Sequence, residues 1–279
     1  MRTKNLRWFS MLLPVLLGLL VTTLANGTII FSHTEATDPE TEGWTKVNPL
    51  NLSPPNASVG PVINDLGLGI NAWFDDDNSQ VGDIAYRQIP TAQQIVEGNA
   101  FGWVLRANLR AVSNSSPLDG AAITLLYRYG TTISWQLNFG PDADGDPMVS
   151  VADDVGAVAT FTLEGAGSSY NLYELRYNPI TSSADLFVNG VERISDYTGY
   201  NYTGFPPVNA AVFWGSGDSL NLGRGHWNLA EFEITSPPPI PEPSTLLLFS
   251  IAIFGIIGYR CLQCKRLGVS KANRQKPTL

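Results

Sequence analysis

Apolar and polar residues alternate along most of residues 26–235, which is the pattern of β-strands with one buried face. In the segment AFGWVLRANLRAV, Phe101, Trp103, Leu105, Ala107 and Leu109 alternate with polar or small residues. Comparable runs lie at residues 121–129, 132–139, 158–164, 172–177, 210–215 and 229–235. No long helical pattern competes with these runs. Short strands at this spacing predict an all-β sandwich or jelly roll.

The sharpest local signal is Asn189-Gly190, which lies between two strand-like stretches in ADLFVNGVERIS. A two-residue type I′ turn needs positive φ at both central positions, and Asn-Gly is the pair that adopts it most readily. The sequence therefore predicts a β-hairpin at this point.

The first residues have a basic start, an apolar stretch at residues 8–21, and small residues ending at Ala25. This arrangement is typical of a secretory signal peptide, predicted over residues 1–25 and removed by signal peptidase. The alternative is an uncleaved anchor, which Pro14 within the apolar run disfavours.

A second apolar run, residues 246–262, predicts a single transmembrane helix near the C-terminus. Prolines in SPPPIPEP favour an extended linker over residues 236–245. The cations Arg260, Lys265 and Arg266 form a basic anchor at the end of this run. By the positive-inside rule they keep the basic tail, residues 263–279, in the cytoplasm.

Charge is distributed unevenly along the chain. Of the 17 lysines and arginines, three lie in the first 25 residues and six after residue 244, which leaves 8 against 25 acidic residues between them, a net charge of about −17. Such a region repels polyanions and argues against a nucleic-acid partner. The two cysteines, Cys261 and Cys264, follow the apolar run, where membrane-proximal thiols or a functional Cys-x-x-Cys pair are the alternatives.

The segment PEPSTLLLFSIAIFGIIGYR, residues 241–260, resembles the bacterial PEP-CTERM sorting signal. The resemblance implies that an exosortase, a membrane-embedded protease or transpeptidase, recognises Pro241, Glu242, Pro243 and Ser244 and cleaves near them. It also implies an inner-membrane intermediate, delivery to the cell surface or extracellular matrix, and association with exopolysaccharide. The tail departs from the usual pattern because it continues to Leu279. An ordinary tail anchor with a proline linker is the alternative.

Residues 170–199, with an aromatic-rich strand, an Asn-Pro turn and a strand ending in Asn-Gly, resemble concanavalin A-like lectin/glucanase sandwiches, including laminin-G-like modules. Residues 212–234 resemble the closing segment of the same folds. The resemblance implies a concanavalin A-like jelly-roll sandwich over residues 26–235.

Catalytic candidates are few in this region. Glu231 and Glu233 share one face of a strand, but a solvent-facing pair opposite buried Phe232 and Ile234 fits the sequence better than a glycosidase pair. His226 is either a ligand-contacting loop residue or a turn histidine before the last strand. No Gly-x-Ser-x-Gly elbow is present.

The loop GPDADGDP places Asp142, Asp144 and Asp146 at alternate positions, where hard oxygen ligands suit calcium. Ordinary hairpin chemistry is the alternative, because Asp and Gly are common turn residues.

Aromatic side chains provide candidate carbohydrate contacts, because sugar-binding sites stack pyranose rings on exposed aromatic faces. The candidates are Tyr197, Tyr200, Tyr202 and Trp227, with Trp44 and Trp73 as further possibilities. Packing against the protein's own sheet is the alternative reading of the tyrosines.

Together these features predict a secreted, exosortase-sorted surface or matrix protein with a lectin-like domain that binds carbohydrate or has a structural role and is not an enzyme. The alternatives are a secreted carbohydrate-active enzyme of the same fold and a structural protein without a ligand.

Overall fold

The computed structural model describes residues 27–47, 58–76, 84–114, 123–129, 133–153, 156–201, 210–216 and 222–236. The chain divides into two compact units, Ala25–Ser236 and a second unit that combines Met1–Leu24 with Pro237–Leu279. The predicted signal peptide, linker, sorting helix, basic tail and cysteine pair lie outside the described residues. No helix in the described ranges has the length and apolar character needed to cross a membrane.

The described residues of the unit Ala25–Ser236 form sixteen strands and one helix. In chain order they are β1 (Thr28–Thr34), β2 (Thr45–Val47), β3 (Ser58–Asp65), β4 (Ile70–Asp76), β5 (Ala85–Gln88), α1 (Ala92–Phe101), β6 (Trp103–Asn114), β7 (Thr124–Tyr129), β8 (Ile133–Pro141), β9 (Pro147–Asp153), β10 (Gly156–Thr162), β11 (Asn171–Asn178), β12 (Ser183–Val188), β13 (Val191–Tyr197), β14 (Tyr200–Asn201), β15 (Ala211–Gly215) and β16 (Gly223–Ile234).

The strands form two antiparallel sheets. Sheet A has the order β13-β12-β11-β6-β16-β4-β3, and sheet B has the order β10-β9-β8-β7-β15-β5-β2, with β14 added beside β8. The all-β, two-sheet architecture predicted from the alternating pattern is therefore confirmed.

Strand β16 is central in sheet A. One edge pairs with β6 along most of its length, while the other edge is shared by two strands. Residues 224–227 of that edge pair with β4, and residues 229–234 pair with β1. The last strand therefore joins the first strand to the middle of the sheet.

The core lies between the two sheets. Trp103 of β6 contacts the rings of Tyr127 and Trp135 on sheet B, with centroids 5.1 and 5.2 Å away. Trp214 of β15 and Trp227 of β16 make a second contact between the sheets, with ring centroids 5.3 Å apart. Burying each such side chain contributes about 1.5–3 kcal/mol or more to folding, so this aromatic layer is a main source of stability.

Helix α1 is an element that the alternating pattern does not predict. Thr91 caps its first turn, with the Thr91 hydroxyl accepting from Gln94 N and the Gln94 side chain accepting from Thr91 N. Gly102 caps the end of the helix, and its φ of 101° suits glycine, whose missing Cβ avoids Tyr177 O. Phe101, expected in a strand, is instead the last helical residue, and β6 begins at Trp103.

The predicted β12–β13 hairpin is confirmed. Asn189 and Gly190 have φ of 51° and 78°, the positive values that a type I′ turn requires. The Asn189 side chain also accepts from Leu172 N and donates to Asn171 Oδ1, so it ties the turn to β11.

Candidate functional site

The face of sheet A opposite the core carries a row of polar side chains. Alternate residues of β6, such as Leu105 and Leu109, are buried in the core. Arg106, Asn108 and Arg110 therefore point to the other face, because successive side chains of a strand alternate. Matching side chains from β11, β16 and the β3–β4 hairpin complete this surface, here called the polar row.

At one end of the polar row, Arg106 is surrounded by carboxylates. Its Nε donates to Glu174 Oε1 at 2.8 Å, and its Nη1 pairs with Glu233 Oε2 at 2.8 Å and also with Glu231 Oε1. Arg176 Nη2 donates to the other oxygen of Glu174 at 2.6 Å. These residues are called the Arg106 cluster.

The Arg106 cluster holds Glu174 in its charged form. Burial alone would raise the pKa of Glu174, but the hydrogen bonds from Arg106 and Arg176 outweigh it and lower the pKa. A glycosidase needs a carboxyl group whose pKa is raised, so that it can donate a proton to the leaving group. The environment of Glu174 is the opposite of that requirement.

At the other end of the polar row, Asp65 of the β3–β4 hairpin binds Arg110, His226 and Tyr170. Arg110 donates to both Asp65 oxygens at 2.9 Å, in a bidentate pair. His226 Nδ1 lies 2.7 Å from Asp65 Oδ2, and the Tyr170 hydroxyl donates to the same oxygen at 2.8 Å. These four residues are called the Asp65 cluster.

The pKa values in the Asp65 cluster follow from these contacts. Burial would raise the pKa of Asp65, but hydrogen bonds from His226, Arg110 and Tyr170 lower it to about 2. Burial lowers the pKa of His226, and the nearby Arg110 charge adds to that effect, although Asp65 opposes it. The lowered pKa keeps His226 neutral at neutral pH, with Nδ1 between the Asp65 carboxylate and Arg110 Nη2, which is 3.0 Å away. The buried Nε2 of His226 has no hydrogen-bond partner among the described residues.

Two asparagines lie between the clusters. Asn108 Nδ2 of β6 donates to Asn228 Oδ1 of β16 at 3.1 Å, and Asn228 Nδ2 donates to Asn71 O of β4 at 2.8 Å. Both asparagine side chains are half-buried. The polar row thus presents amides between two sets of paired charges, an arrangement able to hydrogen-bond hydroxyl groups.

The structure places most of the predicted carbohydrate contacts in the core. Trp227 is fully buried, and Tyr197 and Tyr200 are only 6% and 9% exposed. The Tyr197 hydroxyl donates to Ala152 O at 2.6 Å, and the Tyr200 hydroxyl donates to Gln136 Oε1 at 2.6 Å. Stacking on a sugar needs an exposed ring face, so these rings have the packing role instead. Tyr202 lies outside the described residues.

The further aromatic candidates are buried as well. Trp44 is 2% exposed and donates from Nε1 to Ser32 O, while Trp73 donates from Nε1 to the Tyr86 hydroxyl. The sequence identified the aromatic residues of the domain but could not separate core rings from surface rings.

Two predictions about single residues are corrected by the structure. His226 was expected in a ligand-contacting loop or in a turn before the last strand, but it lies within β16 and is buried. Glu231 was expected to face solvent, but it is buried beside Arg106. The prediction that Phe232 and Ile234 are buried on the opposite face is confirmed.

The predicted calcium loop connects β8 to β9. Asp142 Oδ1 accepts from Asp144 N and Asp146 N, both at 2.9 Å, which is turn chemistry. The Asp146 carboxylate accepts from Gly165 N at 2.7 Å and Gly167 N at 2.8 Å. The oxygens of Asp142, Asp146 and Glu164 lie within 4.8 Å of one another, whereas Asp144 is not in this group. Calcium binding at this loop stays a prediction, with Glu164 in place of Asp144.

Comparison with known proteins identifies one family motif. Residues 239–261 match the family model of the PEP-CTERM protein-sorting motif. The match confirms the motif recognised in the sequence and indicates an exported protein that is sorted by an exosortase. No curated protein matches the chain significantly.

Several solved structures align with much of the chain at low sequence identity. A carbohydrate esterase from Shiga toxin-encoding bacteriophage phi24B has a TM-score of 0.49 and 12% identity, over 76% of this chain and 100% of that chain. The binding domain of Paraclostridial Mosquitocidal Protein 1 has a TM-score of 0.41 and 12% identity, over 79% and 51%. A protein of unknown function from Shewanella oneidensis MR-1 has a TM-score of 0.41 and 8% identity, over 82% and 95%.

Proposed function

We propose that this exosortase-sorted protein acts at the bacterial surface or in the extracellular matrix, where its sandwich binds polysaccharide through the polar row without cleaving it. Signal peptidase and an exosortase are its processing enzymes in this proposal, and the precursor passes through an inner-membrane intermediate. The observation that carries the proposal is the polar row itself, because it groups amides, guanidinium groups and carboxylates on one face of sheet A.

The geometry of the polar row supports binding. Asn108 and Asn228 form a half-buried amide pair, and each side chain keeps hydrogen-bonding capacity beyond the bonds described above. The flanking clusters fix the charged side chains through several contacts each, so little conformational entropy is lost when a ligand binds. A polymer of hydroxyl-bearing rings matches such a row of donors and acceptors.

The electrostatics of the Arg106 cluster support a non-catalytic role. Proton donation to a glycosidic oxygen requires a carboxyl group that stays protonated near neutral pH. Arg106 and Arg176 instead hold the pKa of Glu174 low. Arg106 also binds Glu231 and Glu233, the carboxylates that the sequence offered as a catalytic pair.

Affinity electrophoresis of the protein recovered from its own host, in gels containing the exopolysaccharide of that host, tests the proposal. We expect saturable retardation without new reducing ends, and at least tenfold weaker binding for the Asn108→Ala/Asn228→Ala variant. Gln93→Ala is the matched control, because Gln93 lies exposed on α1, outside the polar row, where its side chain donates to a neighbouring helical glutamate. Equal retardation of all three proteins would contradict a binding role for the polar row.

The second candidate is a secreted carbohydrate-active enzyme, which Glu231 and Glu233 on one face of β16 favour. The enzyme hypothesis predicts that incubation with polysaccharide produces new reducing ends, and that the Glu231→Gln variant does not produce them. Glu97→Gln, at a half-buried position on α1, is the control for that variant. A structural protein without a ligand predicts neither retardation nor cleavage.

A further inference from the structure

The turn that joins β3 to β4 exposes large aliphatic side chains. Ile63, Leu66 and Leu68 are 68%, 55% and 60% exposed, and they fall within six consecutive residues. Strand β3 loses register with β4 between Val62 and Asp65, so the residues before the turn leave the regular ladder. This segment, residues 63–69, is called the hairpin tip.

Internal hydrogen bonds fix the backbone of the hairpin tip. Asn64 N donates to Asn71 Oδ1 at 3.1 Å, and Gly69 N donates to Asn64 Oδ1 at 2.6 Å. Gly67 N and Leu68 N donate to the carbonyl oxygens of Asn64 and Asp65, at 3.0 and 3.1 Å. These backbone donors therefore need no water.

The conformation of Leu66 is held against its intrinsic preference. Its φ is 52°, in the left-handed region that a leucine seldom occupies. The hydrogen bonds of the turn keep the leucine in this conformation with its side chain exposed. The hairpin tip is therefore a preformed apolar projection.

The hairpin tip also lacks an exposed charge. Its one ionisable residue, Asp65, is 7% exposed and is directed into the Asp65 cluster, where Arg110 neutralises it. The side chains that remain at the surface are aliphatic, apart from the Asn64 amide, which is bonded to Gly69 N.

A partner that covers the hairpin tip must match all of these properties. Apolar side chains suit several kinds of partner, but internal bonding of four backbone N–H groups and internal neutralisation of the only charge lower the cost of moving this turn from water to the boundary of a lipid layer. The apolar run at residues 246–262, which predicts a transmembrane helix, also places the chain at a membrane before processing. We propose that the hairpin tip inserts Ile63, Leu66 and Leu68 into the interfacial region of a lipid bilayer with zwitterionic headgroups.

The negative charge of the sandwich favours zwitterionic over anionic lipid headgroups as the partner of the hairpin tip. Acidic residues outnumber basic residues by 25 to 17 over the chain, and the nine terminal cations lie outside the sandwich. The sandwich is therefore repelled by anionic lipid, and insertion at zwitterionic lipid is driven by apolar contact and depends little on salt.

Nitroxide labels on the full chain, reconstituted in phosphatidylcholine vesicles, test the proposal. The labels are attached through Leu68→Cys or Ile180→Cys in a background of Cys261→Ser/Cys264→Ser. Ile180 is the matched control, because it is 92% exposed in the β11–β12 turn and lies outside the hairpin tip. We expect the label at position 68 to be at least threefold more accessible to oxygen than to a water-soluble nickel complex, and the label at position 180 to show the reverse.

Four further results bear on the proposal. Loss of the oxygen preference at position 68 when Leu66→Ser is added, or when half of the lipid is phosphatidylglycerol, supports it. Aqueous accessibility at both positions overturns it. Spin–spin broadening at position 68 in vesicle-free protein also overturns it, because the occupant is then a second copy of the chain. Circular dichroism confirms that each labelled protein is folded before these results are compared.

Discussion

Asp65 joins the β3–β4 hairpin to the middle of sheet A, because its carboxylate binds Arg110 of β6 and His226 of β16. We expect Asp65→Asn to lower the free energy of unfolding by about 3–5 kcal/mol, since it leaves the buried Arg110 guanidinium without its counter-charge. Urea unfolding followed by tryptophan fluorescence measures the change. Asp144→Asn, at an exposed loop position, is expected to shift the free energy by less than about 0.5 kcal/mol.

The same residue predicts how stability depends on pH. The pKa of Asp65 is lowered from 3.8 to about 2, so its contribution is fully present above about pH 4 and is lost as the pH falls towards 2. This lowering of the pKa of Asp65 corresponds to a contribution of about 2 kcal/mol to the free energy of unfolding. Urea midpoints between pH 2 and pH 5 should fall steeply in the natural protein and less steeply in Asp65→Asn. Parallel curves for the two proteins would contradict this assignment.

Single residues show where sequence reasoning reaches its limit. The alternation in β16 correctly predicts that Phe232 and Ile234 are buried, because strand geometry is local. The burial of Glu231 depends on Arg106, which is 125 residues away in the sequence. No local pattern identifies that partner, and for the same reason the sequence could not separate buried Trp227 from a surface tryptophan.

The β8–β9 loop provides a prediction at the scale of an element. The carboxylate of Asp146 accepts from two backbone N–H groups of the β10–β11 connection, and these bonds hold its pKa low. We expect Asp146→Asn to lower the Tm in the presence of EDTA by several degrees, whereas Asp144→Asn leaves it unchanged. An unchanged Tm in Asp146→Asn would show that this link between connections contributes little.

The same Tm measurement tests whether calcium binds at the β8–β9 loop. If the loop binds the ion, calcium raises the Tm of the natural protein, and Glu164→Gln removes that increase because Glu164 is the third member of the carboxylate group. An equal increase in both proteins would place the ion elsewhere.

The strands and turns were easier to predict from the sequence than the pairing of one strand with another. The apolar alternation indicated the strands, and Asn189-Gly190 indicated a hairpin that the positive φ values confirm. Helix α1 was missed because its hydrophobic periodicity is weak, although Thr91 and Gln94 form the spacing of a capping box. The order of strands within each sheet was beyond local patterns, since β16 pairs with β1, β4 and β6 from distant parts of the chain.

For the whole molecule, the sorting motif predicts a processing phenotype. We expect replacement of Pro241, Glu242 and Pro243 by alanine to leave the full-length precursor, still ending at Leu279, in the membrane. Intact mass of protein isolated from the host measures this. Pro237→Ala/Pro238→Ala is the matched control, because it changes nearby prolines outside the matched motif. Normal processing of the alanine triplet would show that these residues are not what the exosortase recognises.

The central position of β16 has a consequence for export. If the chain crosses the membrane from its N-terminal end, residues 28–34 emerge long before residues 229–234, with which they pair. Sheet A therefore lacks its middle strand until nearly all of the sandwich has been translocated. Completion of the fold then coincides with arrival of the sorting motif, which begins at residue 239. With this strand order, sheet A is complete only after residues close to the sorting motif have crossed the membrane.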